Sequence, residues 1–268
     1  MPGSAGSTSA EKGSDVTAEM LGASAAILFL SSTLQSIIGF AFNLLAIPLL
    51  LWSGFSLAQA VALTSIPILI QVSVATWKLR EDVPWEEVLP AAGIRYLFLP
   101  VGISLLYWVN TFHPTQVKQI VGALLLVILA MQSGVRIAPR ERLSFGWNLL
   151  AFALSGIMLG MIAMGGPPVV LWLMAHDWSA RKTRAFMAAL FLLAAPVQVA
   201  LLWWKLGTEV ADAFLWGLGM TPLVVAGSLL GIRLGNRLDR NRLRRAILIF
   251  LFLTALVSLM SPWLNQGN

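Results

Sequence analysis

The sequence contains no cysteine and very little charge for its length. Without cysteine, the chain has no disulfide, no thiolate metal site and no cysteine nucleophile. Only 11% of its residues are charged, whereas 58% are apolar and the mean hydropathy is +0.81. Most of the surface of such a chain cannot face water, so the composition predicts an all-α polytopic membrane protein whose main partner is the lipid bilayer.

The apolar runs also lack carboxylates, because the 12 Asp and Glu residues lie in the N-terminal segment, in loops or at the ends of runs. This excludes a buried carboxylate proton relay. His113 and His176 lie at run ends with no second ligand in register, so we predict neither a metal site nor a cofactor. The net charge of +6 comes mainly from Lys and Arg in loops, where membrane orientation explains it and nucleic-acid binding does not.

Residues 1–19 are rich in Gly, Ser, Ala and Thr, and they predict a disordered tail. Apolar blocks fill most of the remaining chain. They span about residues 20–53, 57–77, 87–109, 116–136, 144–176, 180–204, 212–236 and 244–263.

The first and fifth blocks are too long for one ordinary crossing and too short for two, at about 33 residues each. Each is interrupted. The first interruption contains Gly39 and runs to Pro48, and the second is Gly165-Gly166-Pro167-Pro168. Glycine weakens a helix and proline removes a backbone donor, so we expect each block to be a hairpin of two short helices that meet within the membrane.

The two halves of the chain resemble each other. Gln71-Val72 followed by Trp77-Lys78 recurs as Gln198-Val199 followed by Trp204-Lys205. Each half therefore contains one hairpin block and three crossings. This divides the chain into a first repeat (20–136), a cytoplasmic linker (137–143), a second repeat (144–263) and a short C-terminal tail (264–268).

Charge placement favours the hairpins. If both long blocks return to their own side, the 18 Lys and Arg all lie on one side except Lys12, Arg95, Lys118 and Lys205. That asymmetry marks the basic side as cytoplasmic and places both termini outside. Three crossings per half also invert the second half relative to the first, so we predict two inverted-topology repeats.

The interruptions are the candidate binding site. They free backbone N–H groups near Asn43 to Ala46 and near Gly166 to Val169, and two helix N-termini that converge at mid-membrane attract an anion. We therefore select Asn43, Ala46, Gly165, Gly166 and Pro167. The alternative is that glycine and proline serve only close helix packing or a kink.

Three polar residues inside the other blocks complete the candidate set. Arg95 lies roughly 13 Å from the cytoplasmic edge, where a charge needs a partner such as an anionic substrate or a carbonyl cage. Its alternative role is structural. Gln71 and Gln198 either donate to the oxygens of an anion or bridge helices, and the sequence does not separate these roles.

The second interruption, Ala163-Met164-Gly165-Gly166-Pro167-Pro168, resembles the Gly-x-Gly-Gly-Pro-Pro motif of the TauE/SafE family of membrane permeases. Ala163 replaces the leading glycine. Gly39 with Pro48 is the matching first motif, with Ala41, Phe42 and Asn43 where glycines are usual. The resemblance covers residues 20 to 263.

The resemblance implies transport of a small sulfur-containing anion, such as sulfite or an organosulfonate like sulfoacetate, usually as export. Other small anions and uptake are alternatives. An alternative of a different class is an intramembrane lipid pyrophosphate phosphatase, although neither hairpin contains the glutamate that such chemistry uses. The sequence does not choose between a monomer and a homo-oligomer.

Overall fold

The computed structural model describes residues 18–38, 42–134, 143–235 and 240–264, which are almost entirely helical. The predicted tail up to residue 17, nearly all of the linker and residues 265–268 lie outside the described residues. The helices are α1 (Ala18–Ile38), α2 (Phe42–Trp52), α3 (Leu57–Lys78), α4 (Trp85–Asn110), α5 (Pro114–Gly134), α6 (Phe145–Ile162), α7 (Gly166–Met174), α8 (Ala180–Leu206), α9 (Ala211–Gly235) and α10 (Arg240–Leu264).

Serine side chains start three of these helices. Ser56, Ser144 and Ser179 each accept a hydrogen bond from the backbone N–H three residues ahead. Ser56 also forms a capping box with Gln59, whose side chain accepts from the Ser56 backbone N–H. These caps satisfy donors that the first turn leaves free, so the helix starts follow from local sequence.

Six stretches of the described residues are long and apolar enough to cross a membrane, and the longest of them, Ala180–Leu234, contains both α8 and α9. Two shorter apolar stretches belong to α2 and α10. The chain is therefore an all-helical, multi-pass membrane protein, as its composition predicts.

The fifth apolar block folds back on itself. Ala163 ends α6 in the left-handed conformation, with a φ of 54°. Ser155 Oγ then donates to Gly165 O at 2.5 Å, and Trp172 Nε1 donates to Asn148 Oδ1 at 2.7 Å. Because Gly165 lies beside Ser155 and Trp172 beside Asn148, α7 runs antiparallel to α6.

The two arms of this hairpin are unequal, which corrects the expectation of two short helices. The first arm, α6, has 18 residues and the second, α7, has only nine. In the first block, α1 has 21 residues and packs against α2, which has 11. The break residues 39–41 lie outside the described residues. The asymmetry arises because the second glycine and proline cluster falls after the block's midpoint.

The main helix contacts come in pairs, which are related if α1 to α5 correspond in order to α6 to α10. Helix α4 packs along α6 as α9 packs along α1, and α3 contacts α9 as α8 contacts α4. Helices α3 and α8 contact each other, as do α5 and α10. This pattern is what two similar halves produce. The opposite orientation of the halves in the membrane stays a prediction.

Candidate functional site

Close contact between α4 and α6 positions Arg95. A Cβ atom at Gly156 of α6 would lie only 2.9 Å from Arg95 O, so glycine allows the two backbones to approach there. Arg95 is completely buried and is the only charged residue among the buried residues that the structure describes. It lies ten residues into α4, about 15 Å along the helix axis.

The guanidinium group of Arg95 is only partly satisfied. Its Nη1 donates to Leu190 O of α8 at 3.3 Å, and Cζ lies 4.6 Å from the centre of the Phe191 ring. Nε and Nη2, however, have no hydrogen-bond partner. A Cβ atom at Gly165 would lie 2.8 Å from Nη2, so the unpaired part of the group lies against the second break.

The break itself offers few backbone donors. Gly165 is the residue before α7, and Pro167 and Pro168 follow Gly166 in its first turn. Proline has no N–H group, so Gly166 alone donates among the first three residues of the helix. The expected N-terminal anion site is therefore poorer in N–H groups than the sequence suggests. Pro167 instead fixes the backbone of the first turn.

The first half of the chain reaches the same break through Asn43. Its Nδ2 donates to Ala163 O at 2.6 Å, and its Oδ1 is buried without a partner. Asn43 lies in the first turn of α2 and is 8% exposed. Ala46 is one turn further along α2, wholly buried in the largest apolar cluster.

The two glutamines lie in different places. Gln198 Nε2 donates to Leu159 O at 3.0 Å and so ties α8 to α6, close to Gly165, whose added Cβ would touch Leu159 Cβ. Gln71 Nε2 donates to Ser228 Oγ at 2.8 Å and ties α3 to α9. Both therefore bridge helices. Arg95, Asn43, Gly165, Gly166 and Gln198 gather around the second break, and Gln71 does not share these contacts.

Sequence reasoning missed Ser155, Leu190 and Phe191. Ser155 anchors Gly165, Leu190 accepts from Arg95, and Phe191 covers one face of its guanidinium. Ser155 is a lone hydroxyl about two turns before the end of an apolar helix, which is a weak signal. The Phe191 ring and the Leu190 carbonyl give no signal in the sequence, because their roles depend on which helix packs against α4.

Among the described residues, no group of three or more His, Cys, Asp or Glu side chains is placed to hold a metal. His176 is close to the aromatic rings of Trp172 and Trp178 instead, and its Nδ1 lies 2.9 Å from Trp172 O.

Comparison with known proteins agrees with this fold. The family described as Sulfite exporter TauE/SafE matches residues 24–258, which is most of the chain. No curated protein and no solved structure matches it. The match begins within α1 and ends within α10, and it includes the second break. The chain therefore belongs to the TauE/SafE family of sulfite exporters.

Proposed function

We propose that the protein is a secondary transporter that exports a small sulfur-containing anion, either sulfite or an organosulfonate such as sulfoacetate. It works in the cytoplasmic membrane by alternating access, with its basic loops inside and both termini outside. The anion binds between Arg95 and the tip of the second hairpin. The family supplies the general activity, and the environment of Arg95 supports the position of the site.

The observation that carries this proposal is the unpaired edge of Arg95. Nε and Nη2 are the two nitrogens that together form a fork for two oxygens of one oxyanion. Both are buried without a partner, whereas Nη1 is held by Leu190 O. A buried charge with open donors is costly, and an anion is the partner that removes the cost.

No carboxylate of the described residues fills that role. The salt bridges of the described residues involve Arg80, Arg181 and Lys182, which lie near helix ends, and none involves Arg95. The bond to Leu190 O and the contact with Phe191 hold the guanidinium in place. The fork is thus oriented before the anion arrives, which lowers the entropy cost of binding.

Access to the fork requires movement. Arg95 is completely buried, with Phe191 on one face and Gly165 against Nη2. An anion reaches it only when the hairpin tip separates from α4 or α8. Opening to each side in turn is the motion that alternating access describes for paired repeats.

Replacing Arg95 tests the site. We expect Arg95→Gln to reduce sulfite and sulfoacetate flux from protein-loaded liposomes by at least about tenfold, because the neutral amide cannot balance the anion. Arg95→Lys restores charge without the fork, and we expect it to recover only part of the flux. Thermal unfolding in detergent, with and without anion, checks folding and binding together.

Arg80→Gln is the matched control, because Arg80 is exposed and pairs only with neighbouring groups at the surface. Its flux should equal that of the original protein. Normal flux in a folded Arg95→Gln variant would mean that Arg95 only ties α4 to α8. A panel with sulfate, phosphate and carboxylates, loaded on either side, tests the substrate and the direction.

A further inference from the structure

The hydrogen bond of Asn43 fixes which end of its amide remains free. The acceptor at 2.6 Å is a carbonyl, Ala163 O, so the amide nitrogen must be the atom that faces it. Oδ1 then points elsewhere, and it is buried with no donor. A buried acceptor without a donor is unfavourable, because it has lost its hydrogen bonds to water and gained none in exchange. The amide therefore presents a hydrogen-bond acceptor that a bound molecule can satisfy.

The side chain that carries this free acceptor and the side chain of Arg95 both contact the second break. Asn43 contacts Ala163, and Arg95 Nη2 lies against Gly165. Ala163 and Gly165 are two residues apart, so their Cα atoms lie at most about 7 Å from each other. One small molecule can therefore reach both contacts. The two side chains that contact the second break thus carry two unpaired donors and one unpaired acceptor.

The charge at the break is small. Arg95 carries one positive charge, and the other buried polar side chains near it, Asn43, Ser155 and Gln198, are neutral. The two prolines in the first turn of α7 reduce the positive field of that helix end, because its charge resides largely on free N–H groups. One negative charge is therefore balanced here, and a second would be buried unpaired.

We propose that the bound molecule is a monoanion that carries its own hydrogen-bond donor, as hydrogensulfite and hydroxyalkanesulfonates do. Its oxygens accept from Arg95 Nε and Nη2, and its donor faces Asn43 Oδ1. This inference rests on the proposed function, because it assumes that the anion binds at Arg95. Dianions such as sulfoacetate and sulfate should therefore bind more weakly than monoanions.

A matched pair of ligands tests the donor. Ethanesulfonate and 2-hydroxyethanesulfonate are both monoanions and differ by one hydroxyl group. Calorimetry on the purified full-length protein should show about three- to tenfold tighter binding of the hydroxylated ligand, the value of one neutral hydrogen bond. Sulfoacetate should bind at least about tenfold more weakly than either. Equal affinity of the pair, or tighter binding of sulfoacetate, would overturn the proposal.

Substitution of Asn43 tests the acceptor. Asn43→Leu should remove the preference, so that both sulfonates bind alike. Asn148→Leu is the matched control, because it removes an amide that accepts from Trp172 Nε1 near the other end of the same hairpin. It should keep the preference. If the ligand ratio survives in Asn43→Leu, Asn43 is not the acceptor. The ligand pair on the original protein decides the matter even if that variant does not fold.

Arg95→Gln separates this inference from the proposed function. If both sulfonates bind the original protein with equal affinity and neither binds Arg95→Gln, the anion site stands and the donor requirement fails. If neither these sulfonates nor sulfite binds the folded original protein, both proposals fail. If the hydroxylated ligand is preferred and Arg95→Gln abolishes its binding, both are supported.

Discussion

A methyl group at Gly165 would overlap the atoms that build the site. A Cβ atom there would lie 2.8 Å from each of Arg95 Nη2, Leu159 Cβ and Ser155 O. Two of these three atoms belong to α6 and cannot move far without disturbing the hairpin. The absence of a side chain at Gly165 therefore determines how closely the hairpin tip approaches Arg95.

We expect Gly165→Ala to lower stability by about 1–3 kcal/mol, the usual cost of overpacking, and to abolish transport. Gly146→Ala, on α6 and away from the hairpin tip, is the control, because its Cβ would meet nothing within 4 Å. That variant should retain stability and flux. Thermal unfolding and liposome flux on the pair provide the measurement. Similar flux in both variants would mean that the tip tolerates a shift away from Arg95.

The residues of the site show where sequence reasoning ends. Arg95, Asn43 and the second break are visible in the sequence because a charge, an amide and a Gly-Gly-Pro-Pro cluster are unusual inside apolar blocks. Their partners are not visible. The bonds from Arg95 to Leu190 and from Asn43 to Ala163 join different helices. Such contacts depend on tertiary packing, and a single sequence does not show which helices pack together.

At the scale of helices, glycine allows α4 and α6 to pack closely. A Cβ atom at Gly102 of α4 would lie 2.3 Å from Ile157 O, and one at Gly160 of α6 would lie 2.6 Å from Leu99 O. In the related pair, a Cβ at Gly231 of α9 would lie 2.2 Å from Thr33 O of α1. In each half, the longer arm of the broken block, α1 or α6, thus packs against a glycine-bearing helix of the other half.

Gly102→Ala should therefore lower the melting temperature, with a loss of about 1–3 kcal/mol, because the backbones must separate. Gly93→Ala lies on the same helix, where a new Cβ meets nothing within 4 Å. It should be neutral or slightly stabilising, since alanine favours helix more than glycine does. Equal melting temperatures would show that α4 and α6 can move apart without cost.

Helix patterns in the sequence predict the crossings better than the hairpins. Apolar runs of ordinary length became α3, α4, α5, α8, α9 and α10, within a few residues of the expected limits. The expectation of two short arms was wrong for α6, because periodicity within a long apolar block does not locate the turn. The turn follows instead from Ala163 in the left-handed conformation and the bond from Ser155 to Gly165.

At the scale of the whole molecule, the connections repeat as well as the helices. Asp82 follows α3, and its carboxylate accepts from Arg181 Nε at the start of α8, at 2.6 Å. Glu209 follows α8, and it accepts from Asn110 Nδ2 at the end of α4, also at 2.6 Å. Each half thus uses the carboxylate after its third helix to hold a helix end of the other half.

The inverted orientation of the halves has a direct test, because the chain has no cysteine of its own. Glu81 and Thr208 occupy corresponding positions in the connections after α3 and α8, and both are exposed. We expect a membrane-impermeant maleimide to label Thr208→Cys on intact cells. Glu81→Cys should react only after permeabilisation, because an odd number of crossings separates the two positions if each broken block returns to its own side. Labelling of both from outside would mean that the halves are parallel, and the charge argument for the hairpins would fail with them. Equal labelling of the two variants after denaturation controls for expression and thiol reactivity.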